Sequence, residues 1–244
     1  MLDSIKKAFM LSVAAVKIFL VISAFNIFIN VINLMVIPAP VNAEMDIKKS
    51  LTVIGLGIIF FFAAIFIQGG VITYIKELVK SGSTGLASFI SNCGKYFMRM
   101  LGIILITILI AVGWGVLFLG ILPAMLPALK VVFLILGFIS LIGILLLLIL
   151  PAYALVTGDL GVMASMRKGV SVAAANFLQI IGILIILVII SIVIMFIASL
   201  ITGLLSIPFK GMVNYVAAVV MAISSAIVTL LADIAYMDFY LKKS

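Results

Sequence analysis

Residues 177–200, FLQIIGILIILVIISIVIMFIASL, run for 24 positions without a charged side chain. A helix rising about 1.5 Å per residue makes this stretch about 36 Å long, and the hydrocarbon of a bilayer is about 30 Å thick. A helix on a soluble core needs only an apolar stripe, whereas this one is apolar nearly all round, so it reads as a membrane span. Working outward from it, comparable blocks recur from Leu11 to Ile37, Leu51 to Ile75, Phe97 to Leu122, Val131 to Leu150 and Val213 to Asp238. The chain of 244 residues is 67% hydrophobic and only 9% charged. The expected fold is therefore all-α: a polytopic membrane bundle of six transmembrane helices in one transmembrane domain, 1–244.

Breaks between the spans fall at Pro38 and Pro40, at the run Ser81 to Gly85, at Pro123 and Pro127, at Pro151 with Gly158 and Gly161, and at Pro208. These residues leave a helix unfinished or turn the chain. Lysine and arginine of short loops stay on the cytoplasmic side. One side of the six-span arrangement collects Lys6, Lys7, Lys17, Lys76, Lys80, Lys95, Arg99, Arg167, Lys168, Lys242 and Lys243, and the other only Lys48, Lys49, Lys130 and Lys210. Eleven against four places both termini in the cytoplasm and the protein in the cell membrane. Val41-Asn42-Ala43 has the spacing of a signal-peptidase site, but the apolar run before it exceeds the 7–15 residues of a signal core, so a retained first span is expected.

Composition excludes much chemistry. With no histidine, one cysteine (Cys93) and seven carboxylates, a single chain builds no disulfide, no CxxC pair and no histidine-based metal site, and it lacks the base for Ser-His-Asp or Cys-His nucleophilic catalysis. No metal or cofactor is expected, and Cys93 reads as an inert thiol. The net charge of +8 does not sit in a soluble segment with aromatics, so nucleic acid is not the partner. Basic residues flank the apolar blocks, which points to anionic lipid headgroups.

The chain also repeats. Tyr96-Phe97-Met98-Arg99-Met100-Leu101-Gly102-Ile103 aligns with Asn176-Phe177-Leu178-Gln179-Ile180-Ile181-Gly182-Ile183 at an offset of about 80 residues. Three repeats are expected, 1–80, 81–160 and 161–244, each opening on an amphipathic segment. Apolar positions Leu2, Ile5, Phe9 and Val13, then Leu86, Phe89, Cys93 and Phe97, then Val162, Met166, Val170 and Ala173 recur at helical spacing, with polar or basic residues opposite. Such helices lie in the interface with cations among the phosphates. The candidate headgroup contacts are Lys6, Lys7, Lys95, Arg99, Arg167 and Lys168.

The second half carries a family resemblance. The segment Leu150-Pro151-Ala152-Tyr153-Ala154-Leu155-Val156, then Gly161, Met166-Arg167-Lys168-Gly169 and Asn176-Phe177, and the closing Tyr236-Met237-Asp238-Phe239-Tyr240-Leu241-Lys242-Lys243, resemble the membrane domain of glycerophosphodiester phosphodiesterases and of related uncharacterised six-span membrane proteins. Tyr240 departs from that pattern, standing where an arginine is usual. The resemblance implies no catalytic residue, because the phosphodiesterase chemistry of such proteins belongs to a separate soluble domain.

Polar residues inside the spans are the remaining candidates, since burying them costs free energy unless partners are supplied. Ser23, Asn26, Asn30 and Asn33 share one face of the first span, and Ser225, Thr229 and Asp233 one face of the last. They either line a polar pathway or bond helix to helix. Lys17 and Asp233 sit at comparable depth near the cytoplasmic boundary, which predicts an ion pair between the first and last spans. Ala218, Ala222 and Ala226 form a small-residue ridge for close helix packing. Two functions follow: a non-enzymatic membrane protein that organises lipids or partner proteins, a second copy of itself included, or a transporter or channel for a small polar solute. Asparagines open to water favour the second.

Overall fold

The computed structural model describes residues 2–36 and 47–244. Pro38, Pro40 and Val41-Asn42-Ala43 lie outside the described residues. Among those described the secondary structure is helical without a strand. In chain order the helices are α1 (Leu2–Ala14), α2 (Val16–Val36), α3 (Ile47–Ser81), α4 (Leu86–Gly115), a π-turn (Val116–Ile121) leading into α5 (Leu122–Met125), a 3₁₀ turn (Pro127–Leu129), α6 (Lys130–Leu147), α7 (Pro151–Gly158), α8 (Val162–Ala175), α9 (Phe177–Ser206) and α10 (Val213–Lys243). Six stretches are long and apolar enough to cross a membrane: Val16–Val36, Ser50–Ser81, Leu86–Met125, Pro127–Gly158, Phe177–Ser206 and Val213–Lys243. The expected spans match these stretches, and the starts at Phe177 and Val213 match to the residue.

Proline behaves differently at its two central positions. Pro123 was expected to end a helix, yet the helix runs through it to Met125. The ring of a helical proline collides with the carbonyl four residues back, here Leu119, and the i→i+5 geometry of Val116–Ile121 widens the turn where that collision would fall. Pro151 has no such turn before it, and the chain breaks at Leu148–Leu150.

The amphipathic segments divide two against one. A break at Ala15 separates α1 from α2, and one at Asn176 (φ −126°, ψ 28°) separates α8 from α9. The segment from Leu86 to Phe97 is not a separate helix but the first turns of the continuous α4, which corrects the expected second interfacial helix. The repeat alignment supplies the reason. Asn176 turns its side-chain amide back onto the Val172 carbonyl at 3.0 Å and satisfies an acceptor that the break releases,. The aligned residue is Tyr96, which cannot reach back in that way, so unbroken helix is the better solution. The expected threefold repeat is thus not matched by three like units.

α10 is the hub, packing against α1, α2, α3, α7 and α9. Its last eleven buried or near-buried positions, Leu230 to Tyr240, join the second half of α3 and most of α7 in a core at the end of the bundle that carries both termini. Toward the other end α4, α6 and α9 expose isoleucine, leucine and phenylalanine outward. Close approach depends on glycine at two points. A Cβ on Gly70 would fall 2.5 Å from Cys93 Sγ and 2.7 Å from the Phe89 carbonyl, so α3 and α4 meet backbone to backbone. A Cβ on Gly169 would fall 2.4 Å from Pro151 N, so α8 lies directly on α7. Cys93 is free and buried in the first of these contacts.

Candidate functional site

Three helix ends converge where the core is densest, those of α3, α7 and α10, and they bring the polar side chains of the interior with them. Tyr153, the third residue of α7, donates its hydroxyl to Asp233 Oδ1 of α10 at 2.7 Å, both groups being buried. Gln68 of α3 comes near the same carboxyl, yet Oδ2 has no hydrogen-bond partner among the described residues. Tyr236 and Tyr240 follow Asp233 at spacings of three and four on one face of α10, and their buried hydroxyls are likewise without partners among the described residues. The Tyr236 ring lies 6.3 Å from that of Tyr153.

One turn farther along, Asp238 is 2% exposed and is held by two cations: Lys7 Nζ of α1 at 3.1 Å and Lys242 Nζ at 2.6 Å. Ser4 faces the same carboxylate. Lys7 also donates to the Val79 carbonyl of α3 at 3.2 Å, and Lys76 to the Val156 carbonyl of α7 at 2.9 Å. Both acceptors lie in the last turn of their helices, where carbonyls are unpaired and cations are favoured. One lysine therefore ties the N-terminal helix to α3 and α10.

Asp159 occupies the left-handed region at the end of α7 (φ 48°) and takes Lys95 at 3.1 Å and Arg99 at 2.7 Å from α4. The hydrogen bonds from Lys95 and Arg99 hold its carboxyl below the ordinary carboxylate range. A carboxyl with a depressed folded pKa stabilises the fold above its unfolded value, near 3.9, and the contribution is lost as pH falls through the folded value. The melting temperature of the wild type should exceed that of Asp159→Asn at pH 7, and the gap should close as the pH is lowered toward 3. A gap that persists unchanged at pH 3 would rule the link out.

The sequence candidates are thus distributed as follows. Lys17 is exposed on the side of α2 opposite its buried Ile18 and Ile22, and forms no ion pair among the described residues. The expected Lys17–Asp233 pair is absent, and Tyr153 occupies the carboxyl instead. Ser23 is buried with its hydroxyl unpartnered among the described residues. Asn26 donates to Ser225 Oγ at 3.1 Å, joining α2 to α10. Asn30 and Asn33 lie one and two turns farther out, both half-buried. Asn26, Gln68 and Thr229 line a cleft of about 130 Å³ between α2, α3 and α10. Among the headgroup candidates, Lys7, Lys95 and Arg99 are engaged with Asp238 and Asp159, while Lys6, Arg167 and Lys168 are exposed and form no ion pair among the described residues.

Comparison with protein-family models, characterised proteins and solved structures finds no match to this chain.

The faces of the amphipathic helices also differ from expectation. α8 turns Met166, Gly169 and Ala173 onto the protein and leaves Arg167, Lys168 and Ser171 exposed. α1 buries Ser4, Ile5 and Ala8 against α10 and exposes Leu2, Lys6, Phe9, Met10 and Val13. Tyr153 was not singled out as a partner for Asp233, although a signal existed: the two lie 80 residues apart, as do Lys76 and Val156, which is the offset of the repeat. Among the described residues no three His, Cys, Asp or Glu side chains gather as metal ligands.

Proposed function

We propose that this chain is a non-enzymatic module of the cytoplasmic membrane, with both termini on the cytoplasmic side, that organises anionic lipid or a protein partner bound to it. The observation that carries the proposal is the division of the charges. Three polar contacts inside the bundle join interior groups to one another, Tyr153 with Asp233, Asn26 with Ser225 and Lys7 with Asp238, whereas Arg167 and Lys168 stand exposed on a helix whose apolar face is already packed on α7. A cation near an anionic bilayer surface contributes about 1 kcal/mol, so two such cations on a rigid helix favour phosphatidylglycerol over phosphatidylcholine. The resemblance of the second half to a phosphodiesterase-associated membrane domain is in keeping with a module of this kind. In nanodiscs of mixed composition the wild type should enrich phosphatidylglycerol around itself, and Arg167→Gln/Lys168→Gln should lower that enrichment about five-fold per charge. Equal enrichment by wild type and variant would sink the proposal.

Transport of a small polar solute is the second reading, and the cleft reaching Asn26, Gln68 and Thr229 favours it. Uptake of such a solute into vesicles carrying the protein, dependent on Asn26, would separate it from the first.

A further inference from the structure

Four cations gather where the C-terminal end of α3 and the N-terminal half of α4 meet the end of α7. Lys76 and Lys80 stand four apart on α3, and Lys95 and Arg99 four apart on α4, so each helix carries a like-charge pair at a spacing that destabilises it. Asp159 joins them: Oδ2 takes Lys95 Nζ at 3.1 Å and Oδ1 takes Arg99 Nη1 at 2.7 Å. Lys76 Nζ, held at 2.9 Å on the Val156 carbonyl three residues earlier, is within reach of the charges of Lys80, Lys95, Asp159 and Glu77. Both carboxylate oxygens of Glu77 already accept hydroxyls, from Ser88 at 2.6 Å and Thr84 at 2.7 Å. Four cations against these two carboxylates leave the cluster at +2.

The cluster has donors to spare. Arg99 meets Asp159 and the Leu160 carbonyl through Nη1 alone, which leaves Nε and Nη2 without a hydrogen bond among the described residues. Lys80 is exposed, with neither an ion pair nor a hydrogen bond among them. The side chains of Lys95 and Arg99 are 46% and 39% exposed, so an anion reaches them from outside the bundle. Their level on the helices indicates which anion. Lys76 is the first charged residue after the uncharged run 50–75, and Arg99 the last before the uncharged run 100–129, so both cations stand where hydrocarbon gives way to headgroups. A phosphomonoester carries about −1.5 to −2 charges at pH 7 and three strong acceptor oxygens, which matches the charge of the cluster and its unused donors, whereas a phosphodiester headgroup offers a single negative charge. We infer that Lys76, Lys80, Lys95 and Arg99 hold the phosphomonoester headgroup of a membrane lipid, phosphatidic acid, which shares Lys95 and Arg99 with Asp159. The inference rests on the lipid-organising reading and adds to it a second site with its own headgroup chemistry, distinct from the lipid gathered by α8.

The test uses the whole protein in mild detergent at neutral pH, exchanged into micelles containing equal palmitoyl-oleoyl phosphatidic acid, phosphatidylglycerol and phosphatidylcholine, with retained lipid counted by native mass spectrometry. The wild type should retain phosphatidic acid over phosphatidylglycerol by about five-fold, the effect of one additional charge. Lys80→Gln removes a cation that stands outside every ion pair and hydrogen bond among the described residues, and should weaken retention of phosphatidic acid about five-fold. Asp159→Asn removes the competing carboxylate and should strengthen it about five-fold, although the same substitution lowers the melting temperature; a cluster that serves the fold alone would give no such gain. Equal retention of phosphatidic acid and phosphatidylglycerol by the wild type, or retention of phosphatidic acid unchanged in either variant, would overturn the inference. Inorganic phosphate at the concentration of the lipid should leave the lipid in place, and displacement by it would assign the cluster to a soluble phosphate and overturn the membrane source. Arg167→Gln/Lys168→Gln should leave the preference for phosphatidic acid intact. A failure of the α8 effect with that preference present speaks against the proposed function alone, and the reverse pattern speaks against this site alone.

Discussion

Gly169→Val should abolish stable packing of α8 and lower the melting temperature more than any substitution at an exposed glycine. A Cβ at this position would lie 2.4 Å from Pro151 N, 2.5 Å from its Cα and 2.8 Å from its Cδ. Backbone and ring atoms cannot rotate aside as a flexible side chain does, so α8 must move off α7. Overpacking of an ordinary core costs about 1–3 kcal/mol, and valine against a backbone belongs at or beyond the top of that range, a large share of the about 5–15 kcal/mol that holds a typical domain. Gly203→Val is the control. It is also helical, in the last turn of α9, but a Cβ there meets nothing within 4 Å, so its effect should stay within about 1 kcal/mol. Equal melting temperatures for the two variants would show that α8 is free to shift. The consequence reaches function, because α8 carries Arg167 and Lys168: if their placement matters, Gly169→Val should lose the preference for phosphatidylglycerol with both cations still present.

The spans were legible because their signal is one of length and composition, and neither depends on which way a helix faces. The run from Phe177 to Leu200 is long and apolar enough to cross a membrane in any rotation. Rotational phase was not legible. Lys17 and Asp233 sit at similar depth, but a shift of one residue turns a helical side chain by about 100°, and Ile18 rather than Lys17 faces the interior. The helix break at Asn176 was readable in an asparagine able to cap, while the parallel expectation before Phe97 failed because apolar periodicity alone does not stop a helix. Lys7 shows the same limit for charge. A lysine near a membrane boundary reads as a headgroup contact until its partner is known, and Asp238 lies 231 positions away. The buried Tyr153–Asp233 bond was within reach of the sequence only through the repeat offset.

That bond sets the second large effect. Membrane hydrogen bonds average about 0.6 kcal/mol, because separated helices find other partners. Tyr153→Phe should exceed that average: it leaves Oδ1 of Asp233 without its donor when Oδ2 already has no partner among the described residues, and stranding a buried polar group costs about 1–3 kcal/mol, more for a charged one. Asp233→Leu should destabilise for the complementary reason, stranding the Tyr153 hydroxyl. The double variant Tyr153→Phe/Asp233→Leu strands neither, so its loss of stability should fall short of the sum of the two single losses by about 0.5–3 kcal/mol. Lys17→Met should change stability by less than about 0.5 kcal/mol, since Lys17 is exposed and away from this contact,. Melting temperatures in detergent for the four variants decide the matter. Strict additivity would mean that the Tyr153 hydroxyl does not stabilise Asp233, and a Lys17→Met effect as large as that of Tyr153→Phe would return the lysine to the carboxyl. If the coupling is present, the carboxyl of Asp233 is a fastening between α7 and α10, and α10 is then fixed toward its C-terminal end by Tyr153 on one side and Lys7 on the other.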